Sequence, residues 1–170
     1  MQHQGVLLVQ LEVRVSCSLG LAAMQENGLK LRINGEEKVA RPKCTDDPSE
    51  VGPQDFVIIT LKAHSVTSIV EPIQALFDES TAVVTATNGV PWWYFYQLNG
   101  AWENQRLETV DPGGLQWDGI GPDRVIGCVV YPATEVVEPG IIEHIEGNRF
   151  TLGEPSGEKT HRVKQLGGAL

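Results

Sequence analysis

The chain has 170 residues, which is enough for one domain with a substantial hydrophobic core. Its 13 Lys and Arg and 22 Asp and Glu residues give a formal net charge of −9 at pH 7, with no basic cluster. This balance argues against nucleic acid or an anionic membrane as a partner. No run of about 18 apolar residues is present, so the sequence predicts no membrane-spanning helix.

The three cysteines, Cys17, Cys44 and Cys128, are far apart and form no CxxC motif. Their odd number and wide spacing argue against a disulfide framework and against a zinc site. Cys128 lies in an apolar run, which favours a small buried core residue. Because the N-terminal residues also lack the pattern of a secretory signal, we expect a cytoplasmic protein.

The first third of the chain predicts strands with one short helix between them. Residues 5–15 are rich in Val and Leu and alternate with polar residues toward their end, which predicts a strand. Residues 21–28 predict a helix that ends at Gly28 in the left-handed conformation. Residues 29–41 alternate on both sides of Asn34-Gly35, which is a strong signal for a β-hairpin with a two-residue turn.

The middle of the chain predicts two parallel strands joined by a helix. Residues 55–61, DFVIITL, are apolar after Asp55, as in a strand that is covered on both faces. Residues 65–78 carry apolar side chains at helical spacing, and Pro72 within them predicts a kink or a two-piece helix. Residues 81–87 predict a second buried strand, which completes a βαβ unit.

The last third of the chain predicts a third strand, a hairpin and a helix. Residues 107–123 are rich in turn-forming residues, and residues 124–136 predict a third apolar strand. Residues 140–155 alternate on both sides of Gly147-Asn148 and predict a hairpin. A helix is expected from Ser156 onward.

Polar residues follow the two strands of the βαβ unit. Lys62, His64 and Ser65 come after the first strand, and Asn88 and Gly89 come after the second. In open α/β sheets, ligands bind outside the carboxyl ends of the parallel strands. An Asn side chain offers two donors and an acceptor, and Gly lets the backbone approach a ligand closely.

The charge of Lys62 would suit a phosphate or a carboxylate at this edge. The alternative, which the local pattern leaves open, is that Asn88-Gly89 is only a turn and that Lys62 is solvated. The four histidines show no metal-ligand spacing. Residues 153–160, GEPSGEKT, do not have the spacing of a phosphate-binding P-loop.

Five segments, taken in order, resemble the ketopantoate reductase (2-dehydropantoate 2-reductase) family. The resemblance covers roughly residues 20–168 and is carried by LAAMQENGLKLRINGEE, DFVIITLKAHSV, TAVVTATNGVPWWYF, RVIGCVVYPATEV and PGIIEHIEGNRFTLGEP. It implies an α/β fold, the Rossmann-like NAD(P)-binding domain of that family. It also implies NADP as cofactor and reduction of 2-dehydropantoate, or a related small-molecule 2-keto acid, to pantoate for pantothenate synthesis.

The resemblance also implies roles for particular residues. Asn88 and Lys62 match family residues that lie beside both the cofactor and the substrate, and Gly89 accompanies Asn88 in the same motif. Ala133 falls about where the family makes a backbone contact to the cofactor. The aromatic residues 92–95 look like a wall over the nicotinamide end or a packing surface for the helical domain, and ordinary core packing is an equally open alternative.

Parts of the family pattern are missing from the 170 residues. No GxGxxG motif is present, so the first βα unit that holds the pyrophosphate is absent. The family's catalytic lysine lies on a C-terminal helical domain that has no counterpart here, so no catalytic residue is assigned. We therefore expect the isolated chain to be inactive or very weak.

The N-terminal segment has two possible placements. Residues 5–15 either fill the slot of the family's central first strand or sit as its second strand and leave a gap. We expect residues 1–20 to be a divergent segment and residues 21–170 to be the family-like domain, and an altered start or reading frame would explain the boundary. The rival to a reductase is a non-catalytic binding module, which could self-associate through an exposed sheet edge or domain face.

Overall fold

The computed structural model describes residues 6–9 and 17–170. This part of the chain contains nine β-strands and four α-helices, with short 3-10 turns between them. In chain order they are β1 (Val6–Val9), α1 (Cys17–Asn27), β2 (Leu29–Ile33), β3 (Glu36–Ala40), β4 (Phe56–Ile59), α2 (Val70–Ile73), β5 (Ala82–Thr85), α3 (Leu115–Gly119), β6 (Val125–Val130), β7 (Ala133–Glu138), β8 (Ile141–Glu146), β9 (Phe150–Gly153) and α4 (His161–Ala169).

The described residues divide into two compact units. The larger unit contains β1, Pro48–Val130 and Thr151–Leu170, and the smaller unit contains residues 17–47 together with Tyr131–Phe150. One sheet has the strand order β1-β4-β5-β6-β9, and the other has the order β3-β2-β8-β7. Within the described residues, no helix has both the length and the apolar character needed to cross a membrane.

The sheet of the larger unit is built on parallel strands. β1 pairs with β4, β4 with β5, and β5 with β6, all in parallel. Every residue of β4 and β5 is buried, which confirms the prediction that these continuously apolar strands are covered on both faces. β1 lies directly beside β4 with no gap. Its described residues therefore fill the slot of the first strand, which was one of the two placements predicted for residues 5–15. The rest of the predicted strand, residues 10–15, lies outside the described residues.

Side chains that alternate along the strands form the core on both faces of this sheet. One cluster joins Phe56 and Ile58 of β4 to Val84 of β5, Ile126 of β6 and Leu166 of α4. Burial of each such side chain stabilises the fold by roughly 1.5–3 kcal/mol. The helix expected after Ser156 is therefore α4, and its Leu166 completes this face of the core.

The crossover between β4 and β5 is helical but broken, as predicted. It consists of a 3-10 segment Ala63–Ile69, the four-residue α2 and a 3-10 turn Gln74–Leu76. Pro72 lies inside α2 and has no backbone N–H to donate, which accounts for the short α-helical piece. The buried residues Val66, Ile69 and Ile73 keep the apolar face that the spacing predicted.

In the smaller unit, the predicted helix stop and hairpin are confirmed. β2 and β3 pair antiparallel, and Asn34 and Gly35 have φ of 53° and 78°, as a two-residue hairpin turn requires. Gly28 follows α1 with φ of 80°, and its N–H donates to the carbonyl of Met24 at 2.9 Å. A Cβ at Gly28 would lie 2.7 Å from the carbonyl oxygen of Ala40, so only glycine fits there.

The predicted hairpin over residues 140–155 is wrong. β8 pairs antiparallel with β7 and parallel with β2, whereas β9 belongs to the other sheet, beside β6. The tight turn lies instead at Pro139-Gly140, where Gly140 has φ of 77°. Alternation in residues 140–155 identified two strands, but it carried no information about their partners.

The predicted third strand, residues 124–136, is two strands in different sheets. β6 ends at Val130 and β7 begins at Ala133. Pro132 lies between them, and a proline that lacks a backbone N–H interrupts the ladder of hydrogen bonds. Ala133 is therefore the first residue of β7, three residues beyond the end of β6.

Candidate functional site

The carboxyl edge of the parallel sheet brings the ends of β4 and β5 side by side. Thr85, the last residue of β5, is paired with Ile59 at the end of β4 and with Gly127 in β6. Lys62 and Asn88 each lie three residues beyond one member of the Ile59–Thr85 pair. The structure thus places both residues at the same edge of the sheet, where ligands of open α/β sheets bind.

A cavity of about 420 Å³ lies at this edge, within the larger unit. Small-molecule sites in proteins typically measure about 300–1,000 Å³, so the cavity is large enough for a metabolite. Three stretches of chain form its walls: the end of β5 and the loop after it, the middle of β6, and β9 with the residue that follows. The lining residues are Thr85, Thr87, Asn88, Gly89, Pro91, Trp93, Gly127, Cys128, Val129, Thr151, Leu152, Gly153 and Glu154.

Trp93 forms one wall of the cavity, and two contacts fix its indole ring. The indole N–H donates to the hydroxyl oxygen of Thr85 at 3.2 Å, and Thr85 is itself buried. A Cβ at Gly127 would lie 2.8 Å from Cη2 and 3.1 Å from Cζ2 of the indole. The ring therefore lies directly over the backbone of β6, and a Cβ at position 127 would require the indole to shift.

The other aromatic residues of this segment have different surroundings. Trp92 is buried and meets Trp117 edge to face, with ring centroids 6.1 Å apart. Tyr94 is exposed and contacts Phe95 edge to face. The aromatic residues 92–95 therefore do not share one role: Trp92 packs in the core, whereas Trp93 lines the cavity.

Glu154 forms another part of the cavity wall and is held by an ion pair. The guanidinium of Arg162 donates to both of its carboxylate oxygens, at 2.8 and 2.6 Å, and also to the carbonyl oxygen of Val125 at 3.1 Å. The hydroxyl of Thr160 donates to the same carboxylate. The bonds from Arg162 lower the pKa of Glu154, so this buried carboxyl is ionised at neutral pH.

The thiol of Cys128 belongs to the core cluster, which confirms the prediction of a buried residue. Burial raises its pKa, because the low-dielectric surroundings disfavour the thiolate. The thiol is therefore protonated at neutral pH and is a poor nucleophile. Among residues 6–9 and 17–170, no group of three or more His, Cys, Asp or Glu side chains is arranged to hold a metal ion.

The structure brings together only some of the site residues that the sequence suggested. Asn88 and Gly89 line the cavity, and both are exposed. Lys62 is exposed at the same sheet edge, immediately before the 3-10 segment, but it does not line the cavity. Ala133 belongs to the smaller unit, where it pairs with Glu146.

Sequence reasoning missed Thr85, Gly127 and Glu154 as lining residues. The end position of Thr85 in a buried strand was a usable signal, because a hydroxyl there needs a partner. Gly127 in an otherwise apolar strand was another, since such a glycine often marks a close approach by a neighbouring group. Glu154 carried no such signal, because its strand had been assigned to the wrong partner.

The fold and the site together define an α/β protein of the Rossmann-like class, with a ligand-sized cavity at the carboxyl edge of its parallel sheet. The sequence model of the family described as "Ketopantoate reductase PanE/ApbA" matches residues 7–157. The chain therefore belongs to the ketopantoate reductase family.

Individual relatives agree with this assignment. A 2-dehydropantoate 2-reductase of Mesorhizobium japonicum is 53% identical over 146 residues, which cover 86% of this chain and 45% of the relative. A solved structure from Ralstonia solanacearum, assigned to the ketopantoate reductases, has a TM-score of 0.83 at 38% identity and covers 88% of this chain and 46% of its own. The chain thus spans less than half the length of either protein.

A more distant structure shares the fold alone. It is that of a D-mandelate dehydrogenase with NADH and anilino(oxo)acetate, which has a TM-score of 0.68 at 16% identity. The match covers 96% of this chain and 45% of that structure.

Proposed function

We propose that this chain forms the cofactor-domain part of an NADPH-dependent reductase of 2-keto acids, with 2-dehydropantoate as the first substrate to test. The observation that carries the proposal is the position of Asn88 and Gly89. They follow a buried parallel strand and line a small-molecule cavity in a member of the ketopantoate reductase family. The 2-dehydropantoate 2-reductase of Mesorhizobium japonicum, at 53% identity, supports the choice of substrate.

The residues at the carboxyl edge fit the nicotinamide end of such a cofactor. Gly89 has φ of 108°, and no heavy atom lies within 4 Å of the position a Cβ would take, so the backbone is open to a ligand. In the proposal, the Asn88 amide orients cofactor and substrate, the Lys62 ammonium attracts an anionic group, and Ala133 contacts the cofactor through its backbone. When bound, NADPH supplies the hydride that reduces the keto carbon.

Binding of the pyrophosphate end of the cofactor has weaker support than binding of its nicotinamide end. The 170 residues contain no GxGxxG motif, whose backbone amides hold the pyrophosphate in Rossmann-like domains. We therefore propose that the isolated chain binds NADPH weakly and turns over 2-dehydropantoate slowly or not at all. Ordinary turnover by the purified 170-residue chain would contradict this part of the proposal.

A calorimetric titration with NADPH, and a parallel one with NADH, tests the cofactor. Asn88→Ala is expected to weaken NADPH binding about three- to tenfold, which corresponds to the loss of one or two hydrogen bonds. Asn99→Ala is the matched control, because Asn99 is exposed on the same unit and does not line the cavity. Equal affinities for the two variants and the unaltered chain would contradict the assigned role of Asn88.

A non-catalytic binding module is the second candidate. Two observations favour it: the missing GxGxxG motif and an edge strand, β7, whose six residues are all exposed. An exposed edge offers unpaired backbone groups to another chain. Absence of NADPH binding, together with a molar mass by light scattering above that of one chain, would favour this candidate over the reductase.

Two further parts of the proposal concern the whole chain. We propose that residues 1–20 are a divergent segment attached to a family-like domain at residues 21–170, and that the protein works in the cytoplasm. Upstream genomic DNA that encodes a GxGxxG segment in another frame would support the first statement. Fluorescence microscopy of a tagged chain tests the second.

A further inference from the structure

Trp93 is an apolar group of the cavity wall that two contacts hold in place. Its indole N–H donates a hydrogen bond to the buried Thr85, and its six-membered ring lies so close to Gly127 that a Cβ there would displace it. A side chain held in this way presents a flat apolar surface without a cost in conformational entropy when a ligand binds. Such an anchored aromatic surface discriminates between ligands by shape.

We propose that Trp93 is the specificity-determining residue of this cavity and selects 2-keto acids that carry a planar or branched apolar substituent. This inference rests on the proposed function, because it names the substituent that the reductase site accepts. A small substituent such as the methyl group of pyruvate would leave the indole surface uncovered. A phenyl group would stack on it or meet it edge to face.

The hydrogen-bond donors of the cavity wall give the ligand its orientation. The carboxylate of Glu154 lies in the wall beside β9, where Arg162 binds both of its oxygens, and it offers no donor to the carboxylate of a keto acid. The side-chain amide of Asn88 offers two N–H donors at the other strand end. The acid group therefore faces Asn88, and the substituent faces the apolar wall formed by Trp93 and Leu152.

The cavity is large enough for a small ligand. At about 420 Å³ it lies near the lower end of the range for small-molecule sites, roughly 300–1,000 Å³. A keto acid with a phenyl or branched substituent fits within such a volume.

Calorimetric titrations of the 170-residue chain with phenylglyoxylate and with pyruvate test the inference. The unaltered chain is expected to bind phenylglyoxylate more tightly than pyruvate. Trp93→Leu should reduce that preference about three- to tenfold, the worth of one aromatic contact. The matched control is Trp102→Leu, because Trp102 is 59% exposed, stacks on Phe95 and does not line the cavity. It should leave the preference unchanged.

Gly127→Ala tests the positioning of the indole without removing it. The added methyl group would displace the ring from its place over β6, so the variant should lose the preference as Trp93→Leu does. In the Trp93→Leu background the methyl group meets no indole, so Gly127→Ala should destabilise the chain less there than in the unaltered chain. Denaturant unfolding of the four proteins measures this coupling and needs no ligand.

Three results would overturn the inference. They are equal preference in the unaltered and Trp93→Leu chains, no measurable binding of either keto acid, and an effect of Gly127→Ala that is independent of Trp93. An NADPH titration of the same proteins reports on the proposed function separately. If NADPH binds and the preference does not depend on Trp93, the inference fails and the reductase proposal stands. If NADPH does not bind, the reductase proposal fails.

Discussion

Replacement of Arg162 by methionine removes the ion pair that holds α4 against β9, together with the hydrogen bond from Arg162 to the carbonyl of Val125. The Glu154 side chain is only 4% exposed, and Arg162 supplies two of the three hydrogen bonds that its carboxylate accepts. Methionine keeps much of the length of the stem but offers neither charge nor donor. The variant therefore leaves a buried carboxylate with Thr160 as its remaining partner.

The size of the effect follows from burial. Removal of one partner from a fully buried ion pair costs about 3–5 kcal/mol, because the remaining charge is uncompensated. The Arg162 side chain is 31% exposed, so solvent screens part of the interaction, and we expect a loss of about 2–3 kcal/mol at pH 7. For a chain of this length, that corresponds to a decrease in Tm of about 4–12 °C.

The loss should depend on pH with a definite sign. Because Arg162 lowers the pKa of Glu154, its stabilisation is complete above the unfolded-state pKa of a glutamate, about 4.3, and is lost as pH falls through the lower folded pKa. In the variant, burial without the cation raises the pKa of the same carboxyl, so protonation relieves the cost in acid. The difference in stability is therefore largest at pH 7 and shrinks toward pH 4.

Thermal and denaturant unfolding at pH 7 and at pH 4 measure both expectations. Arg32→Met is the control, because Arg32 pairs with Glu37 at 3.1 Å while both side chains are about 40% exposed. An exposed pair contributes about 0.2–1 kcal/mol, with little change over this pH range relative to Arg162→Met. A deficit for Arg162→Met no larger than that of the control, or one equal at both pH values, would refute the reasoning.

Three further experiments, two substitutions and one labelling measurement, have outcomes that local structure determines. Gly28→Ala should destabilise the chain by about 2–3 kcal/mol in denaturant unfolding, because φ is positive there and the new Cβ would meet the Ala40 carbonyl; a loss below about 0.5 kcal/mol would contradict this. Asp111→Ala should cost about 1–2 kcal/mol, since this buried carboxylate accepts from two backbone N–H groups in α3; an unchanged unfolding midpoint would count against that account. Timed alkylation followed by mass spectrometry should label Cys44 before Cys128, because burial raises the pKa of Cys128; the reverse order would be incompatible with a buried thiol.

Local patterns predicted the parts of the fold that local forces determine. The hairpin at Asn34-Gly35 and the helix stop at Gly28 depend on backbone conformations that few residue types adopt. One or two residues were therefore enough to predict each of them. The buried strands β4 and β5 were equally easy to predict, because a strand covered on both faces is continuously apolar. Local sequence patterns alone, without information on long-range contacts, were therefore enough to predict these elements and the fold class.

The local patterns did not predict which strands pair with each other in the sheets. Residues 140–155 alternate as a hairpin would, yet β8 pairs with β7 and β2, and β9 lies beside β6. The period of a strand reports which face is buried and says nothing about which strand lies next to it. Because Glu154 follows β9, the wrong partner for β9 also hid the only acidic wall residue of the cavity within the described part of the chain.

Strand pairing also explains why Lys62 and Asn88 can be assigned to the sheet edge from the sequence, whereas Ala133 cannot. Lys62 and Asn88 lie a fixed three residues beyond the paired Ile59 and Thr85, so the register of two parallel strands carries both to the same edge. No such register reaches Ala133, because the chain leaves the parallel sheet at Val130 and starts β7 beyond Pro132. Titrations with NADPH should therefore respond to Asn88→Ala, while Ala133→Gly, which keeps the backbone carbonyl and N–H, should leave the affinity unchanged. A marked loss of affinity in Ala133→Gly would show that the side chain at this position matters, contrary to a contact made through the backbone alone.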